Sequence, residues 1–303
     1  MDVPVGFPGA IGFIGAGSLG SALAVALSGV GYPVRAVNSR SLASAQRMAG
    51  RLQGCRVFPS AQGVADTCDL VFLTTPDDAI ASVAASVKWR PGQGVVHCSG
   101  AQTLDALAPA RAYGSMLGSL HPLQTFAGGE GPEVFQGIAF AVEADPPLRP
   151  ILEGIAKALG GWPIAIAPQD RPLYHISAVT VCGFLATLVA LGADLWGRFS
   201  APSDRAIALK ALLPLAKATV TSLERQGIPG ALTGPFVRGD VGTIMGHLEA
   251  LARSAPHFRH LYCHLGIAQL PLAQVKGCLT GVQRSRIQRI LESALGTSEG
   301  PGG

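Results

Sequence analysis

Along the first half of the chain, short apolar runs alternate with longer stretches in which apolar positions recur every three or four residues. Residues 10–14, 34–37, 57–58, 70–73 and 95–97 read as strands, and residues 18–29, 41–52 and 78–87 as helices. Within 18–29, Leu19, Leu23, Ala26 and Leu27 fall on one face, and Ser41 stands where the next helix needs an N-cap. Strands that alternate with helices imply a parallel sheet wound on both faces. Runs at 118–121 and 138–142 read as shorter strands that close this domain.

After the proline- and charge-rich seam EADPPLR (143–149), the helical period dominates. It marks residues 148–159, 172–199, 204–226, 240–253 and 283–295, and only WPIAIA (162–167) is strand-like. The tail TSEGPGG reads as disordered. The expected fold class is therefore α/β: a doubly wound domain over 1–145, an all-helical domain over 146–296 for substrate and dimerisation, and a tail over 297–303.

Composition narrows the function classes. With 48% hydrophobic and 14% charged residues the chain builds a core rather than a solvated tail. The net charge of +4, without a basic stripe interleaved with aromatics, argues against a nucleic-acid partner. Cysteines 55, 68, 98, 182, 263 and 278 form no CxxC pair and read as thiols in a reducing compartment. The start MDVPVGFPG lacks the basic region of a signal peptide, so a cytoplasmic location is expected. ISAVTVCGFLATLVALGA (176–193) reaches membrane-spanning length, but Asp170, Arg171, Asp194 and Arg198 flank it without an aromatic belt. The expectation is a helix buried in the domain core or a dimer interface, with no membrane partner.

Between the first strand and the first helix stands GAGSLG: Gly15, Ala16, Gly17, Ser18, Leu19 and Gly20. A GxGxxG in this context makes a phosphate cradle. Gly15 permits the tight turn, Gly17 lets backbone amides approach a pyrophosphate, and Gly20 lets helix and strand pack closely. The second strand runs into Asn38, Ser39, Arg40 and Ser41 without the carboxylate that an NAD ribose calls for. A guanidinium beside small polar donors suits a 2′-phosphate, so the cofactor expected is NADP. Ligands of doubly wound sheets lie beyond the carboxyl ends of the strands. That edge carries Thr74, Thr75 and Pro76, then Ser99 and Gly100, then His121. Thr75 and Ser99 read equally as ligand contacts or helix caps.

The glycine motif, the Asn-Ser-Arg after strand two and the TTPD turn after strand four resemble the 6-phosphogluconate dehydrogenase-like superfamily, which includes pyrroline-5-carboxylate reductases and β-hydroxyacid dehydrogenases. HCSGA (97–101), HPLQTF (121–126), LYHISAV (173–179) and ALTGPFVRGD (231–240) narrow the resemblance to NADP oxidoreductases whose C-terminal half is the domain of unknown function 2520. It extends from about Ile11 to Ala268. The resemblance implies an N-terminal Rossmann domain, a C-terminal helical domain that pairs two subunits, and NADP between them, but no particular substrate. The chain departs from these relatives at Gly183, where they often carry Asn.

Hydride transfer to a C=O or C=N also needs a proton, and histidine is the side chain poised to give one near neutrality. His175 is the first candidate, as acid or substrate anchor; His121 is the second, and Ser99 is a hydroxyl at the same edge. Gly100 and Arg238 are the expected substrate contacts, Arg238 as a clamp for a carboxylate and Asp240 as the cap of the following helix. No Lys or Tyr proton relay is evident. His257, His260 and His264 have helical spacing but lack supporting carboxylates, so no metal is expected. The function expected is an NADPH-dependent oxidoreductase reducing a small carbonyl or imine; the alternative is a non-catalytic NADP-binding redox sensor or scaffold.

Overall fold

The computed structural model describes residues 9–199 and 204–296; the tail expected over 297–303 lies outside them. The chain divides into two compact units, Met1–Cys182 and Gly183–Gly303.

The first unit is built on eight strands: β1 (Ile11–Ile14), β2 (Val34–Asn38), β3 (Arg56–Val57), β4 (Leu70–Leu73), β5 (Gly94–His97), β6 (Met116–Pro122), β7 (Ala139–Ala144) and β8 (Trp162–Ala165). They form one sheet in the order β3-β2-β1-β4-β5-β6-β7-β8. Every neighbouring pair is parallel except β6 with β7. The helices are α1 (Ser18–Gly29), α2 (Leu42–Ala49), α3 (Ala61–Thr67), α4 (Asp77–Ser86), α5 (Ala108–Arg111), α6 (Arg149–Ala158) and α7 (Arg171–Val181).

Alternation along the strands feeds two cores. Ile11, Phe13, Leu70 and Phe72 pack with Leu23 and Leu27 of α1, Met48 of α2 and Leu152 of α6. Ile14, Val71 and Leu73 pack with Val64 of α3, Ile80 of α4 and Ala110 of α5. Phe13 and Phe72 are register partners on neighbouring strands, and their rings stack at 5.2 Å. Each such fully buried side chain contributes about 1.5–3 kcal/mol, so the sheet is held rigidly between its helical layers. The doubly wound fold is the one expected. Its sheet, however, continues through β8, so the expected boundary at residue 145 falls between the last two strands.

Register sets what stands at the functional edge. Ile14 pairs with Leu73, Leu73 with His97, and His97 with Ser119. Two residues further on, Ala16, Thr75, Ser99 and His121 therefore come level across the carboxyl ends of four parallel strands, roughly 5 Å apart per strand step.

The second unit is helical throughout its described residues: α8 (Gly183–Trp196), α9 (Arg205–Gly230), α10 (Pro235–Arg238), α11 (Val241–Ser254), α12 (Pro256–Val275) and α13 (Gly281–Gly296). Its core is Val237, Ile244, Cys263, Leu270, Ala273, Ile287 and Leu291. The helix α12 was not expected as a unit, because Pro256, Pro271 and three histidines obscure its apolar spacing. Pro256 sits in the first turn, where no amide is needed, and Cys263, Gly266, Leu270 and Ala273 bury one face.

Two expectations are corrected. The single helix expected over 172–199 is two, because the chain turns at Cys182 (φ −102°, ψ −75°). Nor is that apolar stretch buried within the chain: Leu173, Ile176, Val181, Phe184, Leu185 and Leu188 are exposed. The stretches Pro168–Trp196 and Arg205–Arg238 are long and apolar enough to cross a membrane, and only 6% of the most apolar window of each is buried. Of the two placements expected for this stretch, a core of the chain does not hold, because α10–α13 assemble their own core without it; the dimer interface is the placement left.

Candidate functional site

The glycine loop leaves β1 at Gly15, whose φ of +114° is open only to glycine. A Cβ there would also stand 2.5 Å from the Thr74 carbonyl oxygen. At Gly20 a Cβ would stand 2.5 Å from Thr74 Oγ1, the hydroxyl that donates to the Gly15 carbonyl at 2.8 Å. Both glycines are thus explained by the protein itself. Gly17 is not: it is exposed, its φ is −75°, and a Cβ would meet nothing within 4 Å. It is also the N-cap of α1, and no side chain caps that helix or places an acid in its first turn. The free amides and positive dipole end face a site where an anion fits.

Beside the loop lies a cleft of about 530 Å³, lined by Gly15–Gly17, Asn38–Ser41, Ser44 and Thr74–Pro76 among others. Arg40 is exposed and makes no hydrogen bond or ion pair among the described residues, so its fork is available. Asn38 has spent its amide N–H on the Phe58 carbonyl (2.9 Å), which leaves its oxygen. Ser39 Oγ accepts weakly from the Ser41 amide (3.4 Å), and Ser41 caps α2 through the Ser44 amide (3.2 Å). Thr75 Oγ1 is buried without a partner at the cleft wall. An uncapped helix start, an unpaired guanidinium, an orphaned hydroxyl and no carboxylate after β2 together fit a dinucleotide with a 2′-phosphate.

At the far end of the row the proton-carrying groups converge. His121 Nδ1 is 2.7 Å from Tyr174 Oη, with the rings edge-on at 89°. A Cβ on Gly100 would stand 2.8 Å from His121 Nε2 and 3.0 Å from His175 Cδ2, so both imidazoles press against this glycine. Burial first, then the His175 and Arg171 charges, push the His121 ring down to about 4. Burial pushes Tyr174 up to about 12 against the opposing pull of Arg171. His97, fully buried one strand away, is pushed down to about 3, chiefly by burial and then by Arg171. His121 is therefore a neutral ring near pH 7, and Tyr174 keeps its proton.

Ser99 is occupied otherwise than a free catalytic hydroxyl requires. Its Oγ donates to Asp77 Oδ2 (2.6 Å) and accepts from the Ala101 and Gln102 amides (3.1 and 3.0 Å), which is the capping role. Its amide donates to His97 Nδ1 (3.2 Å). Sequence reasoning missed Tyr174 as a relay, and with it Arg171, Glu143, Asp77 and His97. The tyrosine stood beside His175 in LYHISAV, but its partner is 53 residues away.

Arg238 ends α10 in the second unit, and its side chain makes no hydrogen bond or ion pair among the described residues. Asp240 caps α11, accepting from the Thr243 amide (3.1 Å) and hydroxyl (2.7 Å), which hold its carboxyl below the usual range. His257, His260 and His264 lie on α12, and no group of three ligating side chains that could hold a metal occurs among the described residues.

Comparison with known proteins agrees with the fold. A Rossmann-like domain matches residues 8–122 and the domain of unknown function DUF2520 matches residues 138–269. No curated protein matches the chain. Among solved structures, a candidate NADP oxidoreductase from Bacteroides fragilis is 26% identical (86% of this chain, 98% of that one, TM-score 0.70). A protein from Thermotoga maritima is 21% identical (88% and 99%, TM-score 0.70). A pyrroline carboxylate reductase from Plasmodium falciparum, with NADP bound, is 13% identical (92% and 98%, TM-score 0.58). The last two likenesses speak to the fold alone.

Proposed function

We propose that this chain, a Rossmann-like domain joined to a DUF2520 domain, is an NADPH-dependent oxidoreductase that reduces a small carbonyl or imine by hydride transfer. The observation that carries the reading is Gly100: level with the cofactor cleft along one sheet edge, it has His121 on one flank and His175 on the other. A hydride acceptor laid over this bare backbone meets two imidazoles with different tasks.

NADPH, when bound, supplies the hydride. The residues that would hold it are Gly15–Gly20 with the α1 amides for the pyrophosphate, and Arg40 with Ser39 and Ser41 for the 2′-phosphate. Thr75 and Pro76 line the same cleft. With Tyr174 donating to His121 Nδ1, the His121 proton would stand on Nε2, on the side of Gly100. There the neutral ring hydrogen-bonds the substrate oxygen or nitrogen as negative charge develops. His175, unpaired and half-buried, delivers the proton to that atom. Burial keeps the His121 ring neutral, so it acts as a hydrogen-bond donor rather than as the acid.

Reduction at this site runs in the cytoplasm, in a dimer whose second copy covers the apolar surface of α8 and α9. The test is to mix the protein with NADPH and a panel of cyclic imines, 2-keto acids and aldehydes, and to follow reduced-nicotinamide absorbance. The expected result is turnover of at least one class, lost in His175→Ala. Tight NADPH binding with no turnover across the panel would favour a sensor or scaffold instead.

A further inference from the structure

Arg171, the first residue of α7, is the largest fully buried side chain among the described residues. Its Nε donates to Glu143 Oε2 on β7 at 2.6 Å, and its Nη1 donates to the Ser99 carbonyl beyond β5 at 3.2 Å. Beneath it lies a row of buried polar residues on one face of the sheet: His97 on β5, its register partner Ser119 on β6, and Ser119's partner Glu143 on β7. Ser119 Oγ and Arg171 Nη2 have no hydrogen-bond partner among the described residues. A buried ion pair with orphaned neighbours is a poor device for stability: each orphan has lost its water without a partner to replace it, and an apolar replacement of the pair is often neutral or better.

We propose that Arg171 is a positioning residue: by joining Glu143 to the Ser99 carbonyl it fixes the first turn of α7, so that Tyr174 meets His121 and His175 meets Gly100. Tyr174 and His175 lie three and four residues after Arg171, on the same face of the helix. Ser99 belongs to the clamp through three bonds, to Arg171, to Asp77 at the cofactor side and to His97. The clamp thus ties the cofactor edge of the sheet to the helix that carries the proton groups. An apolar residue at 171 would remove the two bonds that tie the first residue of α7 to β7 and to the turn after β5.

The inference deepens the reductase reading, since it assigns a task to Arg171 through the His121–Tyr174 pair, but its test needs no substrate. The groups facing His121 are Tyr174, His175 and Arg171 from α7 and His97 from β5, with Glu143 on the β7 face that opposes it. Imidazole ¹⁵N NMR of the full chain reports the His121 tautomer and titration directly. In Arg171→Met the Nδ1 hydrogen-bond signature should vanish, and the His121 titration should move up by roughly half a pH unit or more as the cation leaves. The double variant R171M/E143M, which removes the stranded carboxylate, should recover folding stability while the hydrogen-bond signature stays lost. NADPH affinity should stay within about twofold in both, because neither residue lines the cofactor cleft, while kcat for any substrate found falls about tenfold or more. A His121 tautomer and titration identical to the parent in both variants would overturn the proposal. If the NMR changes appear and no substrate is ever reduced, the positioning role stands and only the reductase reading falls.

Discussion

Tyr174 Oη approaches His121 Nδ1 to 2.7 Å across an edge-on ring contact, and the histidine so held presses its Nε2 side against Gly100. Burial holds that imidazole neutral. That burial makes the fold acid-sensitive. His97 and His121 are pushed from their usual range down to about 3 and about 4. Between an unfolded value of about 6.5 and these folded values, the unfolded chain binds more protons, so stability rises with pH. Their contribution is complete above about pH 6.5 and is lost as pH falls towards 4. Melting temperature measured against pH should drop steeply over that window in the parent and less steeply in His121→Asn. Equal slopes would mean that His121 titrates normally in the fold.

The same geometry separates His175 from its neighbour. His175 is unpaired, so its loss should not disturb the fold, yet it should cut turnover by roughly 10²–10⁴-fold, the span of general acid catalysis. His175→Gln, which can anchor but not donate, should be as slow as His175→Ala, with NADPH affinity unchanged in both. Parental rates in the two variants would move the proton to bound water or to His121.

Arg40 is exposed and has no side-chain partner among the described residues, so its removal should leave the melting temperature close to the parent's. By calorimetry, Arg40→Ala should weaken NADP binding by about 1.5–3 kcal/mol, the scale of lost charge-assisted bonds. NAD binding should hardly change. Equal losses for the two cofactors would show that Arg40 shapes the cleft rather than reading the 2′-phosphate.

The glycines of the loop divide by cause. Gly15→Ala places a Cβ 2.5 Å from the Thr74 carbonyl oxygen at a φ of +114°, and should destabilise the protein by about 1–3 kcal/mol or more. Gly17→Ala meets no protein atom and should leave the melting temperature unmoved while weakening NADP binding. A folding defect in Gly17→Ala would assign that glycine to structure after all.

What the sequence could tell followed from how local each feature is. The β1–α1 turn, the strands ending at Leu73 and His97, and the Asn38–Ser41 run were legible because spacing and turn chemistry act within a few residues. The polar clamp was not. Arg171 bonds Glu143 and Ser99 across 28 and 72 residues, and nothing in the local pattern distinguishes a buried arginine from a helix flank. Ser99 was legible as a cap or a contact but not as one of the two, because its acceptor, Asp77, belongs to another strand end. The break at Cys182 and the exposed face of α8 were hidden for the opposite reason: an unbroken apolar run looks the same whether its neighbours bury it or not.

That face sets a further expectation. Phe184, Leu185 and Leu188 on α8 and Leu213, Leu215 and Val220 on α9 are exposed in the single chain. Light scattering should give the mass of a dimer, and Leu188→Asp with Leu215→Asp should shift it towards the monomer. A parent that remains monomeric at all concentrations would remove the second copy from the account.

The central claim is hydride transfer over Gly100 between His121 and His175. It is tested most directly with NADPH deuterated at the transferring position, incubated with the best substrate of the imine and keto-acid panel, and the product weighed by mass spectrometry. The account predicts one deuterium on the reduced carbon, at a rate that collapses in His175→Ala while cofactor affinity holds. Binding of the labelled cofactor with no deuterium in any product would contradict it.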